Sequence, residues 1–221
     1  MSDDEALPKK GKKLPRWALI LLAVAIVAGL VAGISALYTS TRKDAVVAPT
    51  PAPPAPAGGA DGCIAGNIND AASLLDGARQ QPHTPQGAAA TAAGFLRFTA
   101  QYPSPSEQQL ITVISDMYDL APGEEASALA KDVLSASAPD NVQTAGFSVA
   151  DGRYVIESAS TQDKVQVSIA SQVIVDGRAR GVSATTYTMA RGDGIWKFVD
   201  SEDIDDEQRI LDNGVAFVGG C

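Results

Sequence analysis

Apolar and polar positions divide the chain into regions with different periods. The first is an uninterrupted apolar run from Trp17 to Leu37, whose 21 residues contain no charged side chain. As a helix with a rise of about 1.5 Å per residue, this run would span about 30 Å, the hydrocarbon thickness of a bilayer. The pattern therefore predicts a transmembrane helix over residues 17–37.

Beyond residue 62 the apolar positions recur at helical spacing. Residues 68–79 have a helix-compatible composition, and Thr84 with Pro85 supplies an N-cap and a first-turn proline for the next helix. Three helices with clear start signals are predicted: one over residues 84–101, one that starts at 104 or 106 and is broken by Pro122-Gly123, and one over 124–137.

From about residue 145 the period changes to two. Val165, Val167 and Ile169 alternate with polar residues, and Asp176-Gly177 is a hairpin signal. Strands are predicted over 165–175, 180–189 and 195–199, and over 153–158 after a turn at Asp151-Gly152, with 147–149 paired before that turn. Ser201, followed by acidic residues, is expected to cap a last short helix.

The order of elements predicts an α+β domain. We expect about three helices, ending near residue 138, packed as a cone-like layer on a curved antiparallel sheet of about four strands over about 145–200. A short C-terminal helix would follow at about 202–212. The predicted domains are a basic tail (1–16), a transmembrane helix (17–37), a Pro/Ala/Gly-rich linker (38–62) and an extracytoplasmic domain (63–221). The prolines of the linker favour an extended spacer.

Positive charge directly before the apolar run indicates its orientation. The basic side chains there are Lys9, Lys10, Lys12, Lys13 and Arg16. Lys and Arg beside a membrane segment are retained on the cytoplasmic side. We therefore expect a single-pass protein of the cell membrane, with a cytoplasmic N-terminus and an extracytoplasmic C-terminal domain. A cleaved signal peptide is the alternative, although its apolar centre is normally about 7–15 residues long.

The chain is acidic overall, with 17 Lys and Arg against 26 Asp and Glu and a formal net charge of −9. The first 16 residues hold five basic and three acidic groups, so the acidic excess lies beyond them. A domain of that sign is repelled by a phosphate backbone. We therefore expect no direct binding of nucleic acid, and we expect the membrane and other proteins as partners.

Cys63 and Cys221 are the only cysteines and bracket the predicted domain. Outside the cytoplasm such a pair tends to oxidise. A bridge closing so long a loop would constrain the unfolded chain by about 5 kcal/mol. Two free thiols, or a lipid-modified Cys63, are the alternatives. We expect the disulfide.

Candidate catalytic chemistry is sparse. His83 is the only histidine, so it has no histidine partner for a metal site, and we expect it to orient a helix start. The acidic run over 200–207 lacks the spacing of a calcium loop and is expected to be a solvated helix start. Arg191-Gly192-Asp193 spells an integrin-recognition tripeptide, but its position between strands favours a turn. We predict no catalytic residue, no metal site and no cofactor.

Aromatic residues of the predicted domain either line a pocket between helices and sheet or form ordinary core. Because aromatic side chains dominate burial in small domains, we expect core. The residues concerned are Tyr102, Tyr118, Tyr154, Tyr187, Trp196 and Phe198.

The layout, with leading helices and a strand carrying Trp196 over residues 194–199, resembles the nuclear-transport-factor-2-like fold. With a basic stub and one membrane helix, it resembles assembly components of type IV secretion and conjugation machines, and also the Mce-associated membrane proteins of actinobacteria. Residues 82–89, 95–98 and 101–103 are similar to actinobacterial conjugative-element proteins. The likeness covers most of residues 63–221 in layout but is specific only over 82–103.

These resemblances imply function through protein contacts, without catalytic residues. The expected role is a membrane-anchored scaffold of a conjugative transfer apparatus, docking other components and allowing homo-oligomers. The alternative is a ligand- or lipid-binding accessory protein of an Mce-type transport system. A third, weaker alternative is a cavity enzyme that uses His83 or an inward-facing carboxylate.

Overall fold

A computed structural model describes residues 59–64, 70–135, 142–158, 160–161 and 163–219. This part of the chain is α+β, with five helices and one antiparallel sheet of five strands in the order β4-β3-β2-β1-β5. The helices are α1 (Ala71–Arg79), α2 (Pro85–Thr99), α3 (Glu107–Met117), α4 (Ala126–Ser135) and α5 (Glu207–Asn213). The strands are β1 (Ala145–Ile156), β2 (Lys164–Val175), β3 (Arg178–Arg191), β4 (Trp196–Asp203) and β5 (Val215–Ala216).

The predicted transmembrane helix (17–37), the basic residues before it and most of the predicted linker lie outside the described residues. Within the described ranges, no helix is long and apolar enough to cross a membrane. The anchor and its orientation therefore stay predictions.

Side-chain caps explain where the first helices begin. Asp70, Thr84 and Ser106 each accept a hydrogen bond from the backbone three residues on, which satisfies an otherwise unpaired amide. The caps at Thr84 and Ser106 confirm two predicted starts. The expectation of about three helices before the sheet is wrong by one, because the cap at Asp70 makes α1 a regular helix.

The main core lies between one face of the sheet and the helices. We call this the inner face. Val165, Val167 and Ile169 of β2 point to it and are fully buried. Helix α2 packs on β1, β2 and β4, and α3 packs on β4; α1 lies against both of these helices, and α4 lies against α3. The opposite, outer face is covered in part by α5, through Ile210 on Ala170 and Ala184.

The first long strand differs from its prediction. Asp151-Gly152 is not a hairpin turn but part of a bulge inside β1, where the pairing with β2 shifts register between Ser148 and Arg153. A Cβ on Gly152 would stand 3.1 Å from the carbonyl oxygen of Ala170, so glycine permits the close approach. The same residues that read as a turn thus bend one continuous strand.

Both predicted turns later in the sheet are confirmed. Asp176 and Gly177 have φ of 48° and 72°, as a two-residue β2–β3 hairpin requires. The turn before β4 is closed by a 3.0 Å hydrogen bond from the Gly192 amide to the Ile195 carbonyl. The predicted cap at Ser201 is wrong, because β4 continues to Asp203 and Asp206 caps α5.

The two ends of the described unit are joined side by side. The Gly62 amide donates to the Val218 carbonyl at 3.0 Å, and the Val218 amide donates to the Ala60 carbonyl at 2.9 Å. The Ala60 amide also donates to the Tyr154 hydroxyl at 3.1 Å. We call this arrangement the end clasp. Just before it, Val215 and Ala216 pair with β1 as β5, which adds an edge strand to the predicted sheet of about four strands.

Candidate functional site

Polar side chains lie on the inner face where β4 ends, at Asp203 and its partner on β3. Thr185 on β3 is paired with Asp203 on β4, and their side chains share the inner face with Tyr187. Thr185 and Tyr187 are buried, whereas Asp203 is partly exposed. A carboxyl group therefore stands at the margin of the main core, with contact to solvent.

Asp203 is only half satisfied by hydrogen bonds. The Thr185 hydroxyl donates to its Oδ1 over 3.3 Å, while its Oδ2 is buried without a hydrogen-bond partner. Burial raises the pKa of the Asp203 carboxyl; the Thr185 hydrogen bond opposes this rise, and the charge of Asp205 adds to it. A buried oxygen without a hydrogen-bond donor lowers the stability of the fold, so Asp203 is held here at an energetic cost.

Four aromatic rings pack together between the inner face and the helices: Tyr187 and Phe198 from the sheet, Phe95 from α2 and Tyr118 from the end of α3. The Phe198 ring lies 4.5 Å from Phe95, 5.3 Å from Tyr118 and 5.3 Å from Tyr187, measured between centroids. Burial raises the pKa of both tyrosine hydroxyls, and for Tyr187 the nearby Tyr118 and Asp203 raise it further. Both phenols therefore stay neutral and can donate hydrogen bonds. We call Thr185, Asp203 and these four aromatic residues the inner-face cluster.

The outer face holds a second polar group, which we call the outer-face cluster. Arg209 of α5 donates to Glu157 Oε1 at 2.8 Å, and the buried Ser168 hydroxyl donates to the same oxygen. Because the Ser168 proton is used in this way, Thr186 donates to Ser168 Oγ at 2.7 Å. Burial alone would raise the pKa of Glu157, but the hydrogen bonds from Arg209 and Ser168 and the Arg209 charge lower it overall.

A groove of about 610 Å³ lies beside the β3–β4 turn. Its charged lining has both signs, and no ion pair joins these groups among the residues that the structure describes. Such a mixture selects no single class of ligand. The charged residues are Asp119, Asp163, Arg191, Asp193 and Lys197.

Of the predicted site residues, only Cys63 falls in the described part of the chain. It is disulfide-bonded and lies beside the end clasp, where its sulfur is 3.5 Å from a Cβ built on Gly219. Cys221, like the anchor limits Trp17 and Leu37, lies outside the described residues. The Cys63–Cys221 pair therefore stays a prediction, which a gel with and without reductant tests.

His83 lies at the surface, next to the start of α2. Its ring meets Trp196 edge-on, with 6.2 Å between centroids, and the Trp196 indole donates to the neighbouring Pro82 carbonyl at 3.3 Å. These contacts fix the approach to α2 against β4. They agree with the expected role of His83 at a helix start.

The acidic run is divided among different structural roles. Asp200 lies in β4, Asp206 accepts a hydrogen bond from the Arg209 amide at 3.1 Å as the cap of α5, and Asp203 turns inward. Among the described residues, no group of three or more His, Cys, Asp or Glu is arranged to hold a metal ion. The run as a whole is therefore not one site.

Sequence reasoning missed Asp203 by treating it as one of several solvated acids. In a regular strand, side chains alternate between the two faces of the sheet, so counting from the buried Phe198 would place Asp200 and Glu202 on the inner face. A register shift between β3 and β4 leaves Val199 unpaired and reverses this order. No local signal in the sequence marks that bulge.

Neither a protein-family model, nor a curated protein, nor a solved structure matches this chain. The resemblances drawn from residues 82–103 and from the layout therefore stay expectations.

Proposed function

We propose that this chain is a membrane-anchored, non-catalytic scaffold of a bacterial conjugative transfer apparatus of the type IV secretion kind. In this proposal the helix over 17–37 is the anchor, residues 38–62 are a spacer, and a cone-like domain acts outside the cytoplasmic membrane. The succession of basic tail, apolar run and Pro-rich segment before the α+β unit supports it. The family assignment rests on resemblance alone.

The observation that carries the proposal is the end clasp. The chain that arrives from the predicted linker is hydrogen-bonded to Val218 and to Tyr154 as it enters the unit. Ile64 then packs on helix α2, where a Cβ on Gly94 would stand 2.7 Å from its side chain. A spacer attached through such contacts would hold the domain by a fixed point on the β5 side and leave the β4 side free for other components.

Affinity purification of the tagged full-length protein tests this role. The protein would be solubilised in mild detergent from its own host, and co-purifying proteins would be identified by mass spectrometry. A chain that ends after Leu37 is the matched control, because it keeps the predicted anchor but lacks the domain. Channel or coupling components recovered only with the full chain would support the proposal. Recovery of the same proteins with both chains would contradict it.

A second candidate function is a ligand- or lipid-binding accessory protein of an Mce-type transport system. The inner-face cluster motivates it, because a buried carboxyl oxygen without a hydrogen-bond donor stands at the margin of a core rich in aromatic side chains. Native mass spectrometry of the full chain released from lipid nanodiscs tests this function. A lipid retained by the full chain but not by the chain ending after Leu37 would support it, and equal retention by both would contradict it.

A further inference from the structure

Strand β4 forms one edge of the sheet, and another backbone segment of the described chain pairs with its outer side only near Phe198. There the Asp119 amide donates to the Phe198 carbonyl at 2.9 Å, and Tyr118 forms a parallel bridge with Phe198. The opposite edge is different, because β5 and the end clasp lie beside β1. The second half of β4 is therefore the open edge of the described sheet.

The pairing with β3 shows which backbone groups of β4 point outward. Paired residues of antiparallel strands alternate between those that exchange backbone hydrogen bonds and those whose backbone groups point away from the partner strand. The Ile204 amide donates to the Ala184 carbonyl at 3.2 Å, so the next pair, Thr185 with Asp203, is of the outward kind. The hydrogen bond between the Thr185 and Asp203 side chains agrees, because side chains lie closer in such pairs. By the same alternation, the backbone groups of Ser201 also point outward.

Two of these outward groups suit a partner strand. The Ser201 amide already donates to Asp200 Oδ1 at 3.0 Å. The Ser201 carbonyl and the Asp203 amide are joined to no other segment of the described chain, and both residues are partly exposed. In a parallel pair, one residue of the added strand donates to the first group and accepts from the second. The chain at Tyr118 already lies parallel to β4 in this way.

The charge of this edge indicates the chemistry of a partner. Ser201 and Asp203 point to the inner face, so Asp200 and Glu202 point to the outer face, and both are exposed. Neither takes part in an ion pair among the described residues. A second copy of the same edge would bring like charges together, which disfavours its pairing. Basic side chains at every second position of an added strand would instead lie beside these two carboxylates.

We propose that the open edge of β4, over residues 201–203, docks an extended basic segment of a partner protein, which adds to the sheet as a parallel strand. Backbone hydrogen bonds to Ser201 and Asp203 hold the segment, and Lys or Arg at alternate positions pair with Asp200 and Glu202. The inference rests on the proposed scaffold function, in which the β4 side is left for other components, and it names the chemistry of the segment that docks there.

The test is a peptide titration of the isotope-labelled full chain, followed by NMR of backbone amides. The chain would be held in nanodiscs of phosphatidylcholine, which carries no net charge. The probe is a capped hexapeptide that alternates lysine with valine. We expect saturable shifts at Ser201 and Asp203, and slower hydrogen exchange at the Asp203 amide.

Three matched peptides separate charge from backbone pairing. The first replaces lysine by glutamate, and the other two carry methyl groups on the backbone nitrogens of the lysines or of the valines. In the proposed register the residue opposite Glu202 is a lysine, and its N–H donates to the Ser201 carbonyl. Glutamate or methylation at the lysines should therefore weaken binding about tenfold, whereas methylation at the valines, whose N–H groups point away from β4, should be tolerated.

Two double variants locate the effect of charge. Asp200→Asn with Glu202→Gln removes both carboxylates beside the proposed strand and should weaken binding of the lysine peptide about fivefold, the loss of two exposed ion pairs. Glu107→Gln with Asp151→Asn removes the same charge from exposed positions on α3 and β1, and should change the affinity less than about twofold. Neither variant alters a buried side chain, so both should fold.

Several results would overturn the inference. These are the absence of saturable shifts at Ser201 and Asp203, equal binding of the lysine and glutamate peptides, equal binding of the two methylated peptides, or equal losses in the two double variants. Shifts at the same amides that depend on protein concentration without peptide would show that a second copy occupies the edge, and would overturn it too. The scaffold function would still stand after any of these results; it fails if affinity purification recovers the same proteins with and without the domain.

Discussion

Two carboxylates on opposite faces of one sheet have opposite environments. Glu157 on the outer face receives hydrogen bonds from Arg209 and Ser168, and its pKa is lowered. Asp203 on the inner face receives one hydrogen bond from Thr185, leaves Oδ2 buried without a partner, and has a raised pKa. One oxygen of Glu157 has two donors, whereas one buried oxygen of Asp203 has none.

The two polar groups therefore differ in what they contribute to the stability of the fold. The outer-face cluster joins α5 to β1 and β2 and is complete without any ligand. The inner-face cluster leaves one buried oxygen without a donor, at the margin of a core that holds buried aromatic rings. Unsatisfied buried groups that persist in a folded protein are candidates for function.

The largest expected effect concerns the rings of the inner face. Phe198→Ala should lower the free energy of unfolding by about 3–5 kcal/mol, because a buried ring is lost and a cavity remains. Urea unfolding of the full chain in micelles, followed by tryptophan fluorescence, measures this loss. Val215→Ala is the control: Val215 is 39% exposed, and its truncation should cost well under 1 kcal/mol. Similar losses in both variants would contradict the packing of the cluster.

The next effect tests the outer-face cluster. Glu157→Gln should lower the free energy of unfolding by about 1–3 kcal/mol, because Arg209 and the buried Ser168 lose a charged acceptor. The same urea experiment measures it, with Glu202→Gln on the exposed part of β4 as the control. A loss no larger than that of the control would show that the cluster does not hold α5 on the sheet.

Asp203→Asn should not lower the free energy of unfolding, in contrast to Glu157→Gln. Replacing the half-satisfied carboxyl by a neutral amide should leave stability unchanged or raise it by about 0.5–1.5 kcal/mol, because no charge is then held in the core. The comparison with Glu157→Gln uses the same chemical change on the other face of the sheet. A loss of stability as large as in Glu157→Gln would contradict the view that Asp203 is not a structural group.

The smallest effect is the pH dependence of stability. The pKa of Glu157 is lower in the folded state than in the unfolded state. Ionised Glu157 therefore stabilises the fold above its unfolded-state pKa, and this stabilisation is lost as the pH falls through the folded-state pKa. The pKa of Asp203 is raised in the folded state. Its ionisation therefore destabilises the fold: this cost is absent at low pH and is fully present once the pH has risen through the folded-state pKa. Unfolding at pH 3 to 7 should therefore show a weaker rise with pH in Glu157→Gln and a steeper rise in Asp203→Asn. Parallel curves would contradict both assignments.

The sequence predicts more of the fold than of the candidate site. Capping at Thr84, the period of two in β2 and the Asp176-Gly177 hairpin are local signals, and each is confirmed. The bulge near Asp151-Gly152 and the one at Val199 depend on pairing with neighbouring strands, which the sequence does not display. Because the second bulge decides which acids face inward, the candidate site was hidden from pattern analysis.

The most direct test of the central comparison is a carbon-detected NMR titration of the side-chain carboxyls in the isotope-labelled full chain. The two resonances would be assigned with Glu157→Gln and Asp203→Asn. We predict that Asp203 titrates above the ordinary aspartate pKa of 3.8 and Glu157 below the ordinary glutamate pKa of 4.5. An Asp203 value at or below 3.8, or a Glu157 value at or above 4.5, would contradict the account.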